Sequence, residues 1–313
     1  MSDLTMSANN LLTIEKTISK SRLKEKIAFG VLGSMLFVVI GVVASILLYV
    51  IYHGISTISW DFLRLAPNAD ASGGVFPAIL GTVYLIFGTI LIALPLGIVG
   101  AIYLVEYAGR SRIVDFIRLA IVNLAGVPSI VHGLFGMGFF VLFIGGGIDR
   151  FILKTQQPVW GQACLLWGFC TLAVVILPII ITATEEALLS VPRSFREASL
   201  GMGASKWQTI QKVVLPTAMP GILTGAILGI GRAAGETAPV ILTCAASFKP
   251  TLPQGLNDQA LLLPFHLYFV VTQVPNSGIP IQSGIALVLI GLVFLINISA
   301  VILRSRMRKK RKW

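Results

Sequence analysis

Six long apolar stretches, separated by short polar segments, dominate the pattern of hydrophobic and polar positions along the chain. A helix that crosses a bilayer needs about 20 consecutive, mostly apolar residues. Stretches of this length, poor in charged side chains, predict an all-α membrane protein with six transmembrane helices. They lie near residues 27–51, 77–105, 117–145, 162–183, 217–247 and 283–303.

Three of the predicted spans contain residues that disturb a regular helix. Pro95 lies inside the second span, Pro178 lies near the end of the fourth, and the third contains G-V-P-S-I-V-H-G-L-F-G at 126–136. Irregular backbone at membrane depth is tolerated where it is buried in protein or lines a cavity. We expect simple kinks at these points, and an element of a transport pathway is the alternative.

A shorter apolar run lies in the connection between the fifth and sixth spans. It reads L-L-L-P-F-H-L-Y-F-V-V-T-Q-V and occupies residues 261–274. The run is too short to cross a bilayer, and Pro264 interrupts it. It therefore predicts an interfacial or re-entrant helix.

The amino-acid composition makes a soluble enzyme a poor interpretation. Apolar types make up 56% of the 313 residues and charged types only 12%, whereas an ordinary soluble domain carries roughly 25% charged residues. The formal net charge is nevertheless +11. Such an excess of basic residues indicates either nucleic-acid binding or basic cytoplasmic ends on membrane helices.

The positions of Lys and Arg favour the second explanation. With a cytoplasmic N-terminus, 19 of them fall in cytoplasmic segments and 4 in outside connections. The positive-inside rule then places both termini in the cytoplasm. We divide the chain into a cytoplasmic segment (1–26), a six-span domain (27–303) and a basic tail (304–313). Because the tail directly follows a span, we expect it to contact anionic lipid headgroups rather than nucleic acid.

The connection 184–216 is the one sizeable cytoplasmic loop that the pattern predicts. A proline ends the preceding helix, and Ser194 followed by Glu197 has the spacing of a capping box that starts the next. Gly201 and Gly203 interrupt this helix, and a second helix with apolar residues at three- to four-residue spacing follows. Such a helix–turn–helix is either a knob that another protein grips or a solvated connector.

The same loop contains E-A-S-x-x-x-G and, nine residues later, V-V-L-P, between Glu197 and Pro216. This pattern resembles the EAA loop of ABC-importer permeases, with Ser199 in place of the second Ala and Val213 in place of the usual Ile. The resemblance implies the type I ABC-importer permease fold, whose coupling loop docks into a cleft on an ATPase subunit. It implies ATPase-coupling roles for Glu197, Ala198, Gly203, Ala204 and Trp207.

Four other segments are similar to phosphate-specific permeases of the PstA type: 73–82, 126–136, 184–192 and 231–239. This resemblance implies a transport subunit of the bacterial inner membrane that has no catalytic activity and no cofactor. It implies a PstC-like sister permease, two ATP-binding-cassette ATPase subunits and an extracytoplasmic phosphate-binding protein as partners. The sequence has no G-x-x-x-x-G-K-[ST] pattern, so ATP hydrolysis is expected in the ATPase partners.

Arg232 and Glu236 are the oppositely charged residues within the predicted fifth span, and four-residue spacing puts them on one helix face. A buried Arg costs on the order of 3 kcal/mol at the bilayer centre, so it usually faces the bundle interior and marks a pathway. The pair is either a structural ion pair or a transient contact for an anionic substrate. Arg suits phosphate because its planar fork donates two parallel hydrogen bonds.

The resemblance points to the same Arg232 and Glu236 as substrate contacts. Thr237 and Thr82 are weaker candidates for neutral hydrogen-bond donors along the pathway. In the same predicted span, three glycines recur every four residues, a pattern that allows close helix approach. They are Gly221, Gly225 and Gly229.

Other functions remain open on the sequence alone. A permease for another oxyanion, such as sulfate or molybdate, would share the loop, although G-R-A-A-G-E-T-A-P at 231–239 argues against it. A stand-alone ion channel or secondary transporter would use Arg232 and Glu236 without needing a coupling loop. A membrane anchor that binds nucleic acid would depend on the tail 304–313.

Overall fold

A computed structural model describes residues 2–68, 73–109, 111–275 and 277–309, and the regular structure in these ranges is helical. In chain order the α-helices are α1 (Ser2–Gly54), α2 (Trp60–Arg64), α3 (Phe76–Ile102), α4 (Arg112–Ala125), α5 (Ser129–Gly136), α6 (Leu165–Leu189), α7 (Arg193–Gly201), α8 (Lys206–Thr209), α9 (Leu215–Gly235), α10 (Ala238–Thr243), α11 (Leu263–Gln273) and α12 (Ile279–Lys309). Turns of π-helix prolong some of them: Tyr103–Tyr107 after α3, Met137–Gly145 and Ile148–Leu153 after α5, and Ile210–Val214 between α8 and α9.

Within the described ranges, six helical segments are long and apolar enough to cross a membrane. They are Lys24–Thr57, Phe76–Tyr107, Ser129–Leu153, Leu165–Leu189, Lys206–Gly235 and Ile279–Arg306. The predicted all-α protein with six transmembrane helices is therefore confirmed. The helices continue through Pro95 in α3 and Pro178 in α6.

The chain divides into two units, residues 1–53 and 54–313. In the first unit, α1 is one continuous helix from Ser2 onward, so its backbone shows no break at the predicted boundary after residue 26. At the other end of the chain, α12 likewise continues past residue 303. The cytoplasmic placement of 1–26 and 304–313 stays a prediction.

Helix α6 lies at the centre of the second unit and packs against both α3 and α9. Its side chains Leu172, Ile176 and Ile180 are fully buried, in one cluster with Ala93 of α3 and Ala233 of α9. Between membrane helices such packing is driven by van der Waals contact rather than by removal of apolar surface from water. Close contact of the backbones is therefore the main requirement for this core.

The predicted close approach of the fifth span is confirmed at the α6–α9 contact. A Cβ atom added to Gly221 or Gly225 would lie 2.5 Å from the Cβ of Ala187 or Ala183, respectively. At Gly229 the nearest atom would be 3.5 Å away, which is ordinary contact. The first two glycines thus permit the helix spacing that buries the α6 side chains.

The prediction of one long third span over 117–145 is wrong. Helix α4 ends at Ala125, and α5 begins at Ser129 after a turn in which Pro128 is extended (φ −56°, ψ 138°). Proline lacks an N–H and disfavours helical geometry in the residue before it, so a helix cannot run through this point easily. The prediction relied on hydrophobicity alone, and it therefore joined the short amphipathic helix α4 to the span that begins at Ser129.

The predicted fifth span, 217–247, also ends too late. Helix α9 stops at Gly235, Glu236 is extended (φ −73°, ψ 125°), and the short helix α10 begins at Ala238. The ring of Pro239 would clash with the Gly235 carbonyl in a continuous helix, and it offers no N–H to that carbonyl. The break therefore falls at Glu236 and Thr237.

The helix predicted near 261–274 is confirmed as α11, whose N-terminus is fixed to α3. Leu263 N–H donates to Thr82 Oγ1 over 2.9 Å. A Cβ on Gly81 would lie 2.1 Å from the Leu261 carbonyl oxygen, so only glycine permits this contact. Whether α11 enters the bilayer stays a prediction.

The connection 184–216 forms the predicted helix–turn–helix from α7 and α8. The predicted capping box at Ser194 and Glu197 is wrong, because α7 starts directly after Pro192, which places Ser194 inside the first turn. The capping box is instead formed by Ser205 and Gln208 at the start of α8. From there the helix continues through the π-helical turn into α9.

Candidate functional site

The predicted ion pair forms at the end of α9. Arg232 lies in the last helical turn and Glu236 is the residue at which the helix ends. Arg232 Nε donates a hydrogen bond to Glu236 Oε1 over 3.2 Å. A cation in the last turn is also favoured by the partial negative charge at a helix C-terminus.

The two partners differ in accessibility. The Arg232 side chain is 34% exposed, whereas the Glu236 side chain is 15% exposed. The hydrogen bond to Glu236 uses one of the five N–H donors of a guanidinium. Glu236 can therefore hold the Arg232 guanidinium in place while the remaining N–H groups stay available to an anion.

Span six contributes a polar group next to the last turn of α9, and this group was not predicted from the sequence. The amide of Asn297 in α12 lies 3.6 Å from the position that a Cβ on Gly231 would take, next to Arg232 in the chain. Among the described residues, its buried Oδ1 has no hydrogen-bond partner. The sequence did contain a signal for this residue, because an asparagine is unusual inside an apolar run such as 283–303.

Helix α5 packs against the segment that follows the break. A Cβ on Gly133 would lie 2.9 Å from Cα of Pro239 and 3.2 Å from the Ala238 carbonyl oxygen. The neighbouring His132 is buried, and its Nε2 has no hydrogen-bond partner in the described part of the chain. The sequence interval 126–136 therefore contributes to the walls around the break.

The two threonines of the predicted pathway have different surroundings. Thr82 is 1% exposed; its hydroxyl donates to the Ala78 carbonyl over 2.7 Å and accepts from Leu263 N–H. The first bond lies within α3, and the second joins α3 to α11. Thr237 directly follows Glu236, and its side chain does not cap α10. Pathway roles for both residues stay predictions, and the hydroxyl of Thr82 is already occupied.

The helix–turn–helix of α7 and α8 presents an exposed surface with large apolar side chains. Exposed fractions are 48% for Leu200, 88% for Met202 and 57% for Trp207. Gly203 forms the turn with φ +85°, a region that other residues rarely adopt. We call this the coupling surface; its exposed members are Glu197, Ala198, Leu200, Met202, Gly203 and Trp207, with Ala204 half-buried at its edge.

Two ion pairs lie near this surface, and neither was predicted from the sequence. Arg196 of α7 pairs with Glu106 after α3 at 2.9 Å. Arg118 of α4 lies 3.4 Å from Glu185 near the end of α6. These pairs join segments that are far apart in sequence, so spacing alone gave no signal.

Among the described residues, no group of three or more His, Cys, Asp or Glu side chains is placed to hold a metal ion. The three cysteines are free, with Cys164 and Cys244 buried.

The model of one protein family, described as "Binding-protein-dependent transport system inner membrane component", matches residues 93–309. This range contains both the coupling surface and the Arg232–Glu236 pair. The chain belongs to this family. As a permease of this family, it is a multi-pass protein of the inner membrane that works with ATPase and substrate-binding partners.

Named relatives include permeases from several bacteria. "Probable ABC transporter permease protein YqgI" of Bacillus subtilis is 32% identical over 303 residues, which cover 92% of this chain and 98% of the relative. "Phosphate transport system permease protein PstA 1" of Mycobacterium tuberculosis is 36% identical over 241 residues, 77% of this chain and 73% of the relative.

Solved structures with a similar fold are ABC importers. A chain of a bacterial alginate ABC transporter, in complex with an alginate-bound periplasmic protein, matches with a TM-score of 0.66 at 16% identity, covering 91% of this chain and 97% of that one. A chain of the inward-facing MetNI methionine transporter matches with a TM-score of 0.53 at 20% identity, covering 79% and 96%. The chain thus has the fold of ABC-importer permeases, as predicted.

Proposed function

We propose that this protein is the PstA-type, membrane-spanning subunit of an ATP-driven importer of inorganic phosphate. The observation that carries the proposal is the Arg232–Glu236 pair at the helix break between α9 and α10. The PstA name of relatives that are 36% identical over 77% of the chain supports phosphate as the substrate. The chain itself is expected to hydrolyse nothing.

Arg232 is proposed to contact phosphate through guanidinium N–H groups that the hydrogen bond to Glu236 leaves available. Charge-assisted hydrogen bonds from a planar fork match the phosphate oxygens. Glu236 competes for the same guanidinium and repels the anion, so binding stays weak enough for release. A transport path requires such a balance between entry and exit. Thr237 is proposed to add a neutral donor at the break.

The coupling surface is proposed to dock on an ATPase subunit. Its exposed apolar side chains, including Met202 and Trp207, suit burial in a protein cleft. A PstC-like sister permease would complete the path, with two ATPase subunits on the cytoplasmic side and a phosphate-binding protein outside. Both termini are proposed to be cytoplasmic, with the tail 304–313 on anionic lipid and no role in nucleic-acid binding.

The test uses the complete complex in proteoliposomes: this chain, its sister permease, two ATPase subunits and the binding protein. We expect phosphate to stimulate ATP hydrolysis and sulfate to leave the basal rate unchanged. Equal stimulation by sulfate would contradict phosphate specificity and favour the other oxyanion permeases. Phosphate uptake without ATP would contradict ATP-driven import and favour a channel or secondary transporter.

A further inference from the structure

A single guanidinium fastens the first helix of the coupling loop to the inner ends of two spans. Arg196 Nε and Nη2 donate hydrogen bonds to Glu106 Oε1 over 3.1 and 2.9 Å. Nη1 donates to the Val191 carbonyl over 2.7 Å, and Nη2 also donates to the Leu188 carbonyl over 2.8 Å. Helix α7 is thereby tied both to the end of span two and to the end of span four.

The Arg196–Glu106 pair is largely removed from solvent. The exposed fractions of the two side chains are 19% and 11%. Both residues line a cleft of about 390 Å³, and Glu197 of the coupling surface lines the same cleft. A buried charge that loses its partner is strongly destabilising, so these two side chains resist separation. A displacement of α7 is therefore transmitted to Glu106 rather than absorbed between the two.

Glu106 lies in the π-helical turn Tyr103–Tyr107, where span two ends. This turn also contacts the second helix of the loop, because Lys206 Nζ of α8 lies 4.7 Å above the centre of the Tyr107 ring. Arg118 Nη2 donates to the Leu104 carbonyl over 3.2 Å from α4. Turns of π-helix are local irregularities that often occur at functional sites. Both helices of the coupling loop thus contact one irregular turn.

We propose that Arg196 and Glu106 form the positioning pair that transmits movement of the coupling surface to span two. The inference rests on the proposed docking of that surface on an ATPase subunit. The docking residues Glu197 and Ala198 are exposed, whereas the adjacent Arg196 is half-buried and faces Glu106. The residues proposed to meet the partner therefore lie directly beside the contact that carries the displacement into the membrane domain.

The experiment measures phosphate transported per ATP hydrolysed in the complete complex, together with the amount of ATPase subunit that co-purifies. Glu106→Gln and Arg196→Gln should retain the ATPase subunits and lower this ratio about tenfold, within the usual range of coupling between sites. Because both residues act through one contact, Glu106→Gln should add nothing in the Arg196→Gln background. Lys212→Gln, which removes an exposed cation outside this cleft, is the control and should leave the ratio unchanged.

Additive losses in the double variant, or an unchanged ratio in Glu106→Gln, would overturn the proposal. If Glu106→Gln no longer retained the ATPase subunits, the proposal would be overturned, because the pair would then only maintain the structure of the loop. Should Arg196→Gln fail to assemble, Arg196→Lys keeps the charge without the fork and should give an intermediate ratio; a normal ratio there would also overturn it. Failure of the proposed function is distinguishable, because the wild-type complex would then show no phosphate-stimulated hydrolysis.

Discussion

Arg232 Nε and Glu236 Oε1 are joined by a hydrogen bond of 3.2 Å that crosses the point where α9 ends. The four-residue spacing of a helix brings the two side chains together, although the second one already lies outside the helix. The break gives Glu236 an extended backbone and starts a new short helix two residues later. The charged pair thus marks an irregular point in a span.

Replacing Arg232 with Lys should slow phosphate transport about tenfold. The ammonium retains the charge, but it loses the planar fork, and a charge-assisted hydrogen bond is worth about 1.5–3 kcal/mol. The measurement is the initial rate of ATP-dependent phosphate uptake by the complete complex. Arg150→Lys, at an exposed position after α5, is the matched control and should keep the normal rate. An unchanged rate in Arg232→Lys would show that the fork is not needed.

Replacing Gly203 with Ala should weaken binding of the ATPase subunit. A Cβ at this position meets no atom of the described residues within 4 Å, so the effect comes from the positive φ of +85°. A left-handed conformation costs a non-glycine residue about 1–2 kcal/mol, which predicts roughly a tenfold loss of affinity if the turn must be kept on docking. Gly201 has the same free space around its Cβ position but no positive φ, so Gly201→Ala should bind the ATPase subunit normally. Equal affinity of the two variants, measured by titration, would refute this explanation.

Replacing Thr82 with Val should destabilise the permease, because Leu263 N–H would lose its acceptor in a buried place. An unsatisfied buried donor costs about 1–3 kcal/mol. Thr82→Ser keeps the hydroxyl and should restore the melting temperature of the purified complex. Thr89 supplies the control: its buried Oγ1 has no hydrogen-bond partner in the described residues, so Thr89→Val should not lower the melting temperature. A transport defect in Thr82→Val at normal stability would instead support the pathway role.

The loop before α11 should lose order in acid. Burial raises the pKa of Asp258, but hydrogen bonds from Lys249 Nζ and from Gln254 and Gln259 N–H outweigh burial and hold the pKa below its ordinary value of 3.8. A lowered carboxyl pKa contributes stability above the ordinary value, and this contribution is lost as the pH falls through the lowered pKa. The protection of the amides of 254–260 from hydrogen exchange, relative to their intrinsic rates at each pH, should therefore fall below about pH 4. In Asp258→Asn this acid-dependent step should disappear, and its persistence would assign it to another group.

Much of this architecture is predictable from hydrophobic patterning, since membrane helices must be long and apolar. The pattern fails where a helix break lies within apolar sequence, as at Pro128 and Pro239. Both prolines were visible in the sequence, but hydropathy does not register the missing N–H and the ring clash that end a helix.

The candidate site divides in the same way. Arg232 and Glu236 were found because their contact is local and follows helical spacing. Arg196 and Glu106 are separated by 90 positions, and their contact depends on how α7 folds back against the end of span two. Asn297 reaches Gly231 through the packing of α12 on α9. Contacts of this kind follow from tertiary packing, which no single-chain pattern encodes.

The central claim is that Arg232 and Glu236 act on phosphate during transport. The most direct test is ATP-dependent uptake of radiolabelled phosphate by proteoliposomes that contain the complete complex with Arg232→Ala and Glu236→Ala combined. We predict that uptake is lost while the ATPase subunits remain bound, because the coupling surface is untouched. Uptake at the full wild-type rate would contradict the account.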